Sequence, residues 1–357
     1  MTGPAELPAE LADVVARIAP PDQAARNAAL ERQTRLTKPT GALGRLEDLS
    51  VWASGVQGQC PPHLFQRVRV VVIAADHGIA QSGVSAYPAE VTAQMVGNFL
   101  AGGAAVNVLA RQGGATVRVI DVGVSVDVDG AESGFKVCHG SRPIDTEDAL
   151  DADQLTAALR AGVAIVDGEV DNGADLLILG DMGIGSTTPC AAVTAALLDL
   201  SPDVTTGRGT GVDDETLARK RAAVAAAVAR MDGSTDPLHL VGAIGGADLA
   251  TMAAMLLTAA ARRTPVVLDG VVSCTAALVA ARVAPAALDW WVAGHRSSEP
   301  AQRAVLDALG LAPVVDLELR LGEGTGALVA LPILQMAIAT LAEMATFDEA
   351  GVSDRDG

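Results

Sequence analysis

Aromatic residues are scarce in this chain and make up only 2% of its 357 residues. Because half of the chain is hydrophobic, a large core is expected, and it must be built from alanine, valine, leucine and isoleucine. Helices rich in alanine that pack on strands rich in valine and isoleucine are typical of an α/β protein. The length suits one large domain or two modest ones.

Cysteine is also rare, since the chain has only four, at Cys60, Cys138, Cys190 and Cys274. They are far apart and form no Cys-x-x-Cys pair, which favours reduced thiols in a cytoplasm over disulfides or a zinc site. The first 17 residues lack the apolar core of a signal peptide. We therefore expect a cytoplasmic protein.

Positive charge is in short supply, with 25 Lys and Arg against 43 Asp and Glu and a net charge of −18. Nucleic acids and anionic membranes recruit basic surfaces, so neither is an expected partner. Long hydrophobic runs are missing too. The uncharged apolar stretch at residues 327–341 contains Pro332 and is shorter than the roughly 20 residues of a membrane span. We predict that it is a buried helix.

Apolar runs and helical patterns alternate along the chain. We predict strands at residues 70–75, 116–122, 176–179, 266–268, 290–292 and 314–319. We predict helices at residues 91–112, 155–166, 190–200, 215–231, 249–263, 301–309 and 327–345. This alternation predicts a Rossmann-like, doubly wound and mostly parallel sheet.

Polar or glycine-rich loops lie at the predicted strand ends. They are residues 75–78, 121–123, 180–188, 269–270, 294–297 and 322–326. In doubly wound sheets, ligands bind at the carboxyl ends of the strands. Several such loops at one edge of a sheet therefore predict a large site with a polar lining.

The loop at residues 180–189 has the sequence GDMGIGSTTP, which is the most informative segment of the chain. Its glycines let the backbone approach a ligand closely, and Thr188 followed by Pro189 is typical of a helix start. A glycine loop before a helix N-terminus favours phosphate binding, although a tight turn without a ligand is the alternative. The loop is neither a Walker A motif nor a dinucleotide fingerprint, which disfavours a dehydrogenase.

Glu323 lies between two glycines, so its carboxylate can approach a ligand with little steric cover. Partial burial would raise its pKa toward the range of a general base, whereas the alternative is a solvated loop glutamate. A second glycine loop, residues 207–211, comes before the N-cap candidate Asp213 and the helical Lys220. It suggests another phosphate contact, and a flexible loop with a solvated lysine is the alternative.

Two further kinds of loop residue bear on chemistry. Tyr87 is the only tyrosine, in the segment GVSAYP at residues 83–88, and it could cap a flat ring or simply pack within its loop. His77 and His295 lie in strand-end loops without metal-ligand spacing. We interpret both histidines as hydrogen-bonding residues and predict no metal site.

Taken together, these segments resemble the nicotinate-nucleotide–dimethylbenzimidazole phosphoribosyltransferase family, which assembles the lower ligand of cobalamin. The likeness runs from about residue 36 to residue 349. The matching segments are residues 37–47, 76–78, 83–88, 91–95, 183–189, 207–211, 267–270, 295–297 and 321–324. So many matches in one order make the resemblance specific.

The resemblance implies transfer of the phosphoribosyl group of nicotinate mononucleotide to 5,6-dimethylbenzimidazole, which yields α-ribazole 5′-phosphate and nicotinate. The departing nicotinate is a pyridinium and already a good leaving group, so no metal or other cofactor is expected. The attacking ring carries an N–H proton that becomes acidic as the ring gains positive charge. A carboxylate placed there acts as general base, and the family motif assigns this role to Glu323.

The resemblance also implies the binding residues. The benzimidazole pocket maps onto Ser85, Tyr87 and Gln94. The nucleotide and phosphate site maps onto Asp181, Gly183, Gly185, Ser186, Gly209 and Lys220. Many family members have glutamate in place of Asp181 and asparagine in place of Ser186, and these shorter side chains would alter nucleotide affinity or base preference. Cys274 occupies a position expected to be small and inert, and is either a redox-sensitive or a buried unreactive thiol.

The fold and assembly that the resemblance implies complete the expectations. Residues 61–326 would form the Rossmann-like domain with the active site, and residues 1–60 and 327–357 a small helical domain with a polar tail. Family members are homodimers in which the partner's small domain helps close each site. Two alternatives stay open: another acceptor, such as a purine, a phenol or a different benzimidazole, and a non-catalytic nucleotide-binding regulator.

Overall fold

The computed structural model describes residues 7–353. Residues 1–6, part of the N-terminal segment expected to lack a signal peptide, lie outside the described residues. Residues 354–357, part of the expected polar tail, also lie outside them. The strands are β1 (Val68–Ala75), β2 (Thr116–Gly123), β3 (Leu176–Met182), β4 (Val266–Leu268) and β5 (Trp291–Ala293). The α-helices are α1 (Ala9–Ala16), α2 (Gln23–Arg35), α3 (Arg45–Gln57), α4 (Val91–Leu100), α5 (Ala105–Gly113), α6 (Ala152–Asp171), α7 (Thr187–Leu198), α8 (Pro202–Thr205), α9 (Asp214–Arg230), α10 (Pro237–Ile244), α11 (Ala247–Ala261), α12 (Val271–Val283), α13 (Pro300–Leu309), α14 (Thr325–Glu343) and α15 (Phe347–Ala350).

The five strands form one sheet in the order β2-β1-β3-β4-β5, and every neighbouring pair is parallel. This confirms the predicted α/β fold with a parallel sheet. The chain reverses its direction of travel across the sheet between β1 and β3. In such folds, that switch point opens a crevice for ligands at the carboxyl edge of the sheet.

Two groups of helices pack against the sheet. One group contains α11 and α12, with α6 packed on α11, and the other contains α4, α5 and α14. The core is built mainly from alanine, valine, leucine and isoleucine, as the composition predicts. Trp290 and Trp291 are exceptions, because they are among the largest fully buried side chains.

Two sequence-based assignments are wrong. The predicted helix at residues 91–112 is two helices, since the chain turns at Gly102, whose φ of +77° is in the left-handed region. The predicted strand at residues 314–319 does not form beyond a single parallel bridge between His295 and Val315. Its alternating pattern is that of a strand, but the segment leaves the edge of the sheet at β5 and runs along the rim of a cavity.

The helices α10 and α12 and the four-residue helices α8 and α15 have no counterpart among the sequence-based predictions. The start of α7 is also misplaced, because the helix begins at Thr187 with Ser186 as its N-cap. Thr188 and Pro189 therefore lie in the first turn, where proline costs no intrahelical hydrogen bond. Asp213 is the N-cap of α9, as predicted, and its side chain accepts a hydrogen bond from the Thr216 amide at 2.8 Å.

The two ends of the described chain meet in a helical layer. α2 and α3 pack against α14, and a small separate core joins Ala29, Leu36 and Leu341. The Arg32 side chain donates a hydrogen bond to the Leu341 carbonyl at 2.7 Å. α1 instead packs against α6 and α11. The exact domain boundaries stay a prediction.

Two stretches of the described chain are long and apolar enough to cross a membrane, Val91–Gly113 and Thr325–Glu343. The first consists of two helices, and the second packs against α3 and α5. α14 is longer than the apolar stretch recognised in the sequence, because its first turn begins at Thr325. One or two such stretches are weak evidence of a membrane span, since core helices of soluble proteins can have the same length and composition.

Candidate active site

A cavity of about 680 Å³ opens at the carboxyl edge of the sheet. Its walls come from the loops after β3, β4 and β5, from α4, from the loop at residues 209–210 and from the segment at residues 318–323. Loops that are distant in sequence meet here because the carboxyl ends of parallel strands share one edge. This confirms the predicted location of the site, although the lining is more apolar than the predicted polar one. Of the strand-end loops, only those at residues 180–188, 269–270, 294–297 and 322–326 contribute to its wall.

Glu323 is on the wall of this cavity, immediately before α14. Gly322, Glu323 and Gly324 have φ values of +81°, +64° and +94°, which is left-handed backbone that only glycine adopts without cost. A Cβ atom placed on Gly180 would lie 2.3 Å from the Glu323 carbonyl oxygen. Glycine at this position of β3 therefore lets the loop reach the sheet.

The environment of Glu323 changes its acidity. Glu323 is 3% exposed. Burial raises the pKa of its carboxyl group to about 7, and the negative charge of Asp269 makes a smaller contribution to this rise. The Val106 amide donates to Oε2 at 3.5 Å and opposes this rise in pKa. A carboxylate with a pKa near neutrality is matched to proton transfer as a general base.

Asp181 is a second carboxyl group on the cavity wall, next to the Glu323 loop. A Cβ atom on Gly322 would lie 3.0 Å from its Oδ1 atom. Burial, followed by the charges of Asp269, Asp248 and Glu323, holds the pKa of Asp181 well above its ordinary range. The cavity therefore has two neighbouring carboxyl groups, and the charge of Glu323 disfavours the ionisation of Asp181.

The N-terminus of α7 forms another part of the wall. Gly183 and Ser186 line the cavity, and Gly185 lies just behind with a φ of +92°. A Cβ atom on Gly183 would lie 2.3 Å from the Ala75 carbonyl oxygen, so this turn requires glycine. No side chain caps α7 at Ser186, although the Ser186 and Thr188 amides donate to the Gly183 and Gly185 carbonyls at 3.1 and 2.9 Å. The N-terminus of the helix lies on the cavity wall, where its dipole favours an anion.

Lys220 does not line the cavity but is buried behind it, with 1% exposure. Its Nζ atom donates to Thr187 Oγ1 at 2.6 Å, and Thr187 is on the wall. Burial lowers the pKa of Lys220, although the charge of Glu299 opposes this. Gly209 is on the wall above these groups, and its amide donates to Glu299 Oε1 at 2.7 Å.

The three residues predicted to bind the base are placed differently from one another. Tyr87 is on the wall at the cavity mouth and is 56% exposed. Ser85 is not on the wall, and its Oγ is 3.3 Å from Thr210 Oγ1. Gln94 is exposed, while its neighbours Val91 and Met95 on α4 line the cavity.

The two histidines behave differently. His77 is buried, and its Nε2 lies 3.1 Å from Asp248 Oδ2, which confirms the predicted hydrogen bond. For His295 the prediction is wrong, because neither ring nitrogen has a hydrogen-bond partner among residues 7–353. Gly326 packs against the imidazole so closely that a Cβ atom there would lie 2.0 Å from the ring. No cluster of three or more His, Cys, Asp or Glu suited to a metal ion occurs within the described residues.

Cys274 is fully buried on α12. Burial raises the pKa of its thiol to about 12, so almost no reactive thiolate is present near neutral pH. This environment is that of the unreactive thiol among the two alternatives. The four cysteines are free in the structure.

Sequence reasoning did not assign roles to three acidic or polar residues of this site. Asp269 follows β4 directly, Glu299 is the N-cap of α13, and Thr187 is the first residue of α7. An acid immediately after a fully apolar strand was a usable signal for Asp269. No local signal distinguished Glu299 or Thr187, because their importance comes from contacts with Gly209 and Lys220.

Comparison with known proteins supports the enzyme family that the sequence motifs indicated. A family model described as Phosphoribosyltransferase matches residues 18–352, so the protein is a phosphoribosyltransferase. It is 58% identical over 340 residues, 95% of each chain, to the nicotinate-nucleotide–dimethylbenzimidazole phosphoribosyltransferase of Mycobacterium marinum (strain ATCC BAA-535 / M). It is also 58% identical over 342 residues, again 95% of each chain, to the enzyme of that name from Mycobacterium tuberculosis (strain ATCC 25618 / H37Rv).

Solved structures support the same family assignment. The crystal structure of CobT from Thermus thermophilus is 45% identical and superimposes with a TM-score of 0.89, over 92% of this chain and 99% of that one. The chain belongs to the nicotinate-nucleotide–dimethylbenzimidazole phosphoribosyltransferase family, as the sequence motifs predicted.

Proposed function

We propose that this enzyme transfers the phosphoribosyl group of nicotinate mononucleotide to 5,6-dimethylbenzimidazole, with Glu323 as the general base. The observation that carries the proposal is the placement of Glu323. Its carboxyl group has a pKa of about 7 and is on the wall of a cavity that also contains the uncapped N-terminus of α7. A base and an anion site in one cavity suit a reaction between a nucleotide and a ring that loses a proton.

The phosphate of the nucleotide binds at the N-terminus of α7 in this proposal. Backbone groups of Gly183, Gly185 and Ser186 would surround it, and Gly209 would close the opposite side. Lys220 would act through the Thr187 hydroxyl, because its ammonium is behind that side chain rather than on the wall. Asp181 would lie beside the ribose, close to the loop that carries Glu323.

The chemical step follows from this arrangement. One benzimidazole nitrogen attacks the anomeric carbon with its lone pair, and the bond from that carbon to the nicotinate nitrogen breaks. The electron pair of the broken bond neutralises the pyridinium, so nicotinate leaves without needing a proton. Glu323 takes the N–H proton of the other benzimidazole nitrogen. Attack opposite the leaving group inverts the anomeric carbon and produces the α-configured ribazole phosphate.

Tyr87 supports a flat aromatic acceptor, because its ring is on the wall at the mouth of the cavity. Ser85 lies behind it through its contact with Thr210, and Gln94 would need to turn inward from α4 to reach the ring. A different acceptor with an acidic N–H or O–H, such as a purine, a phenol or another benzimidazole, would use the same base. A non-catalytic regulator would not require a carboxyl group with a pKa near neutrality.

We also infer a cytoplasmic homodimer without membrane association. Large apolar side chains stay exposed at or beside the cavity rim, namely Tyr87, Leu317 and Leu321. A second copy of the chain would cover them and complete the wall. Analytical ultracentrifugation should give twice the mass of the chain at micromolar concentration. A monomer under these conditions would contradict this part of the proposal.

The decisive experiment is a chromatographic assay of purified protein with nicotinate mononucleotide and 5,6-dimethylbenzimidazole, without added metal. We expect equal amounts of nicotinate and a new ribazole phosphate. Binding of the nucleotide, measured by calorimetry, without release of nicotinate would indicate another acceptor. The same assay with a purine and a phenol in place of the benzimidazole then distinguishes the alternatives.

A further inference from the structure

A fully buried carboxylate, Asp269, connects the sheet to the loop that carries Glu323. Asp269 follows β4 and has 0% exposure. Its Oδ2 accepts the Gly324 amide at 3.0 Å, and its Oδ1 accepts the Ala327 amide at 2.9 Å. Both amides belong to the N-terminus of α14, where unpaired N–H groups and the helix dipole favour a negative charge.

These hydrogen bonds hold a strained segment. Gly322, Glu323 and Gly324 are all in the left-handed region, and the Thr325 hydroxyl donates to the Gly322 carbonyl at 2.7 Å. Unusual backbone of this kind persists only where the surroundings fix it. The pair of hydrogen bonds to Asp269 spans Gly324 to Ala327 and so fixes the side of the segment that follows Glu323.

The buried charge of Asp269 also acts on the groups around it. It opposes the ionisation of Glu323 in the loop before α14, of Asp181 on β3 and of Cys274 on α12. The ring of His295, which follows β5, has Nε2 3.8 Å from Asp269 Oδ1. Burial raises the pKa of Asp269 itself, and the charge of His295 and the hydrogen bonds from the Ala327 and Gly324 amides oppose this rise.

We propose that Asp269 is a positioning residue for the transfer reaction, whose carboxylate fixes the loop of Glu323 and whose buried charge faces that base. The inference rests on the proposed role of Glu323 as general base. Asp269 makes its contacts with backbone amides and is not on the cavity wall, so it acts on the substrates only through Glu323.

The test compares Asp269→Asn with Asp121→Asn. Asp121 is the control, because it is 1% exposed, stands at the end of β2, and accepts the Gly123 and Val124 amides at 3.0 and 2.8 Å. It differs from Asp269 in having a lysine partner, since Lys136 Nζ lies 3.1 Å from its Oδ2. Both substitutions remove a buried negative charge that binds two backbone amides. Only the substitution of Asp269 affects the loop of Glu323.

The readout is kcat as a function of pH in the assay with nicotinate mononucleotide and 5,6-dimethylbenzimidazole. In wild type, the acidic limb is expected near pH 7, where Glu323 loses its proton. In Asp269→Asn we expect the limb at lower pH and a maximal kcat reduced roughly 10- to 100-fold, since small displacements of a reacting group cost that much. The half-saturating nucleotide concentration should stay within about 3-fold, because the phosphate site is untouched.

An acidic limb at the wild-type pH in folded Asp269→Asn would overturn the proposal, and so would the same shift in Asp121→Asn. If Asp269→Asn does not fold by circular dichroism, Asp269→Glu decides, because it keeps the charge and lengthens the side chain. There we expect an unmoved limb and a reduced kcat, and an unchanged kcat would overturn the proposal. Glu323→Gln in the same series separates the two ideas, since turnover in that variant would contradict the base itself.

Discussion

At the scale of single residues, the chemistry of this site depends on where a side chain is buried. Glu323 and Glu318 both line the cavity, yet Glu323 is buried and Glu318 is exposed at the rim. Burial raises the pKa of Glu323 to about 7, which makes it suitable as a base at neutral pH. The pair therefore offers a target and a control of the same residue type within one cavity.

Replacing the base should remove turnover without removing binding. Glu323→Gln keeps the shape of the side chain and cannot accept the proton, so we expect kcat to fall by about 10²- to 10⁴-fold. Steady-state kinetics and calorimetry with nicotinate mononucleotide measure the two effects separately. Glu318→Gln is the control and should keep kcat within about 2-fold. Turnover near the wild-type rate in Glu323→Gln would show that another group takes the proton.

Removing the buried ammonium should weaken nucleotide binding. Lys220→Met keeps the apolar stem of the side chain but leaves Thr187 without its partner at 2.6 Å. Hydrogen bonds to charged groups are worth about 1.5–3 kcal/mol, so the half-saturating nucleotide concentration should rise roughly 10-fold or more. Arg219→Met, on the exposed face of the same helix, is the control. An unchanged half-saturating concentration in Lys220→Met would contradict the phosphate role.

At the scale of elements, the site depends on close contacts between backbone segments. β3 passes so near the loop before α14 that Gly180 has no room for a side chain. α9 brings Lys220 behind α7, and the segment at residues 316–321 crosses the cavity rim, where Arg320 donates to the Gly209 carbonyl at 3.0 Å. The position of Glu323 therefore depends on packing between elements that are distant in sequence.

Adding one methyl group to β3 should displace Glu323. In Gly180→Ala the new Cβ atom would lie 2.3 Å from the Glu323 carbonyl oxygen, so the loop must move. We expect kcat to fall roughly 10- to 100-fold, together with a destabilisation of about 1–3 kcal/mol. Both effects can be measured in one preparation by kinetics and urea unfolding.

Gly168→Ala is the control for this change. Gly168 is in α6 with open space around its Cβ position, so alanine should keep kcat and increase stability by up to about 1 kcal/mol. Equal activity of Gly180→Ala and wild type would mean that the close contact does not set the position of Glu323.

At the scale of the whole molecule, the site buries carboxyl groups whose ionisation is unfavourable in the folded protein. Glu323 and Asp181 both have raised pKa values, so above the ordinary carboxyl pKa values of 4.5 and 3.8 the folded protein still holds protons that the unfolded chain has released. The free energy of unfolding therefore decreases as pH rises through the window between the unfolded and folded pKa values. This destabilisation is the expected consequence of burying carboxyl groups at the cavity.

The pH dependence of stability should change when the base is replaced. For Glu323 the window runs from its ordinary pKa of 4.5 to about 7. Glu323→Gln removes this contribution, so its advantage in stability over wild type should grow by roughly 2–3 kcal/mol between about pH 5 and pH 8. Urea unfolding across this range measures it, with Glu318→Gln as the control. A constant difference between Glu323→Gln and wild type would show that Glu323 is not perturbed by folding.

Much of the fold could be predicted because its signals are local. The apolar run of β1 and the alternation of strands with helices identified a parallel α/β sheet. The loop around Glu323 and the glycine loop before α7 were recognised from a few adjacent residues. The errors arose where the local pattern was misleading, as at residues 314–319, whose strand-like alternation lies at the rim of the cavity.

The sequence by itself determined the fold class, the family and the segments that meet at the cavity, because periodicity and motifs are properties of neighbouring residues. Only the tertiary structure decided that Lys220 lies behind Thr187, that Asp269 binds the start of α14, and that Glu323 is buried with a raised pKa. These properties depend on distances and desolvation between residues far apart in the chain. Packing of the sheet and its helices determines them.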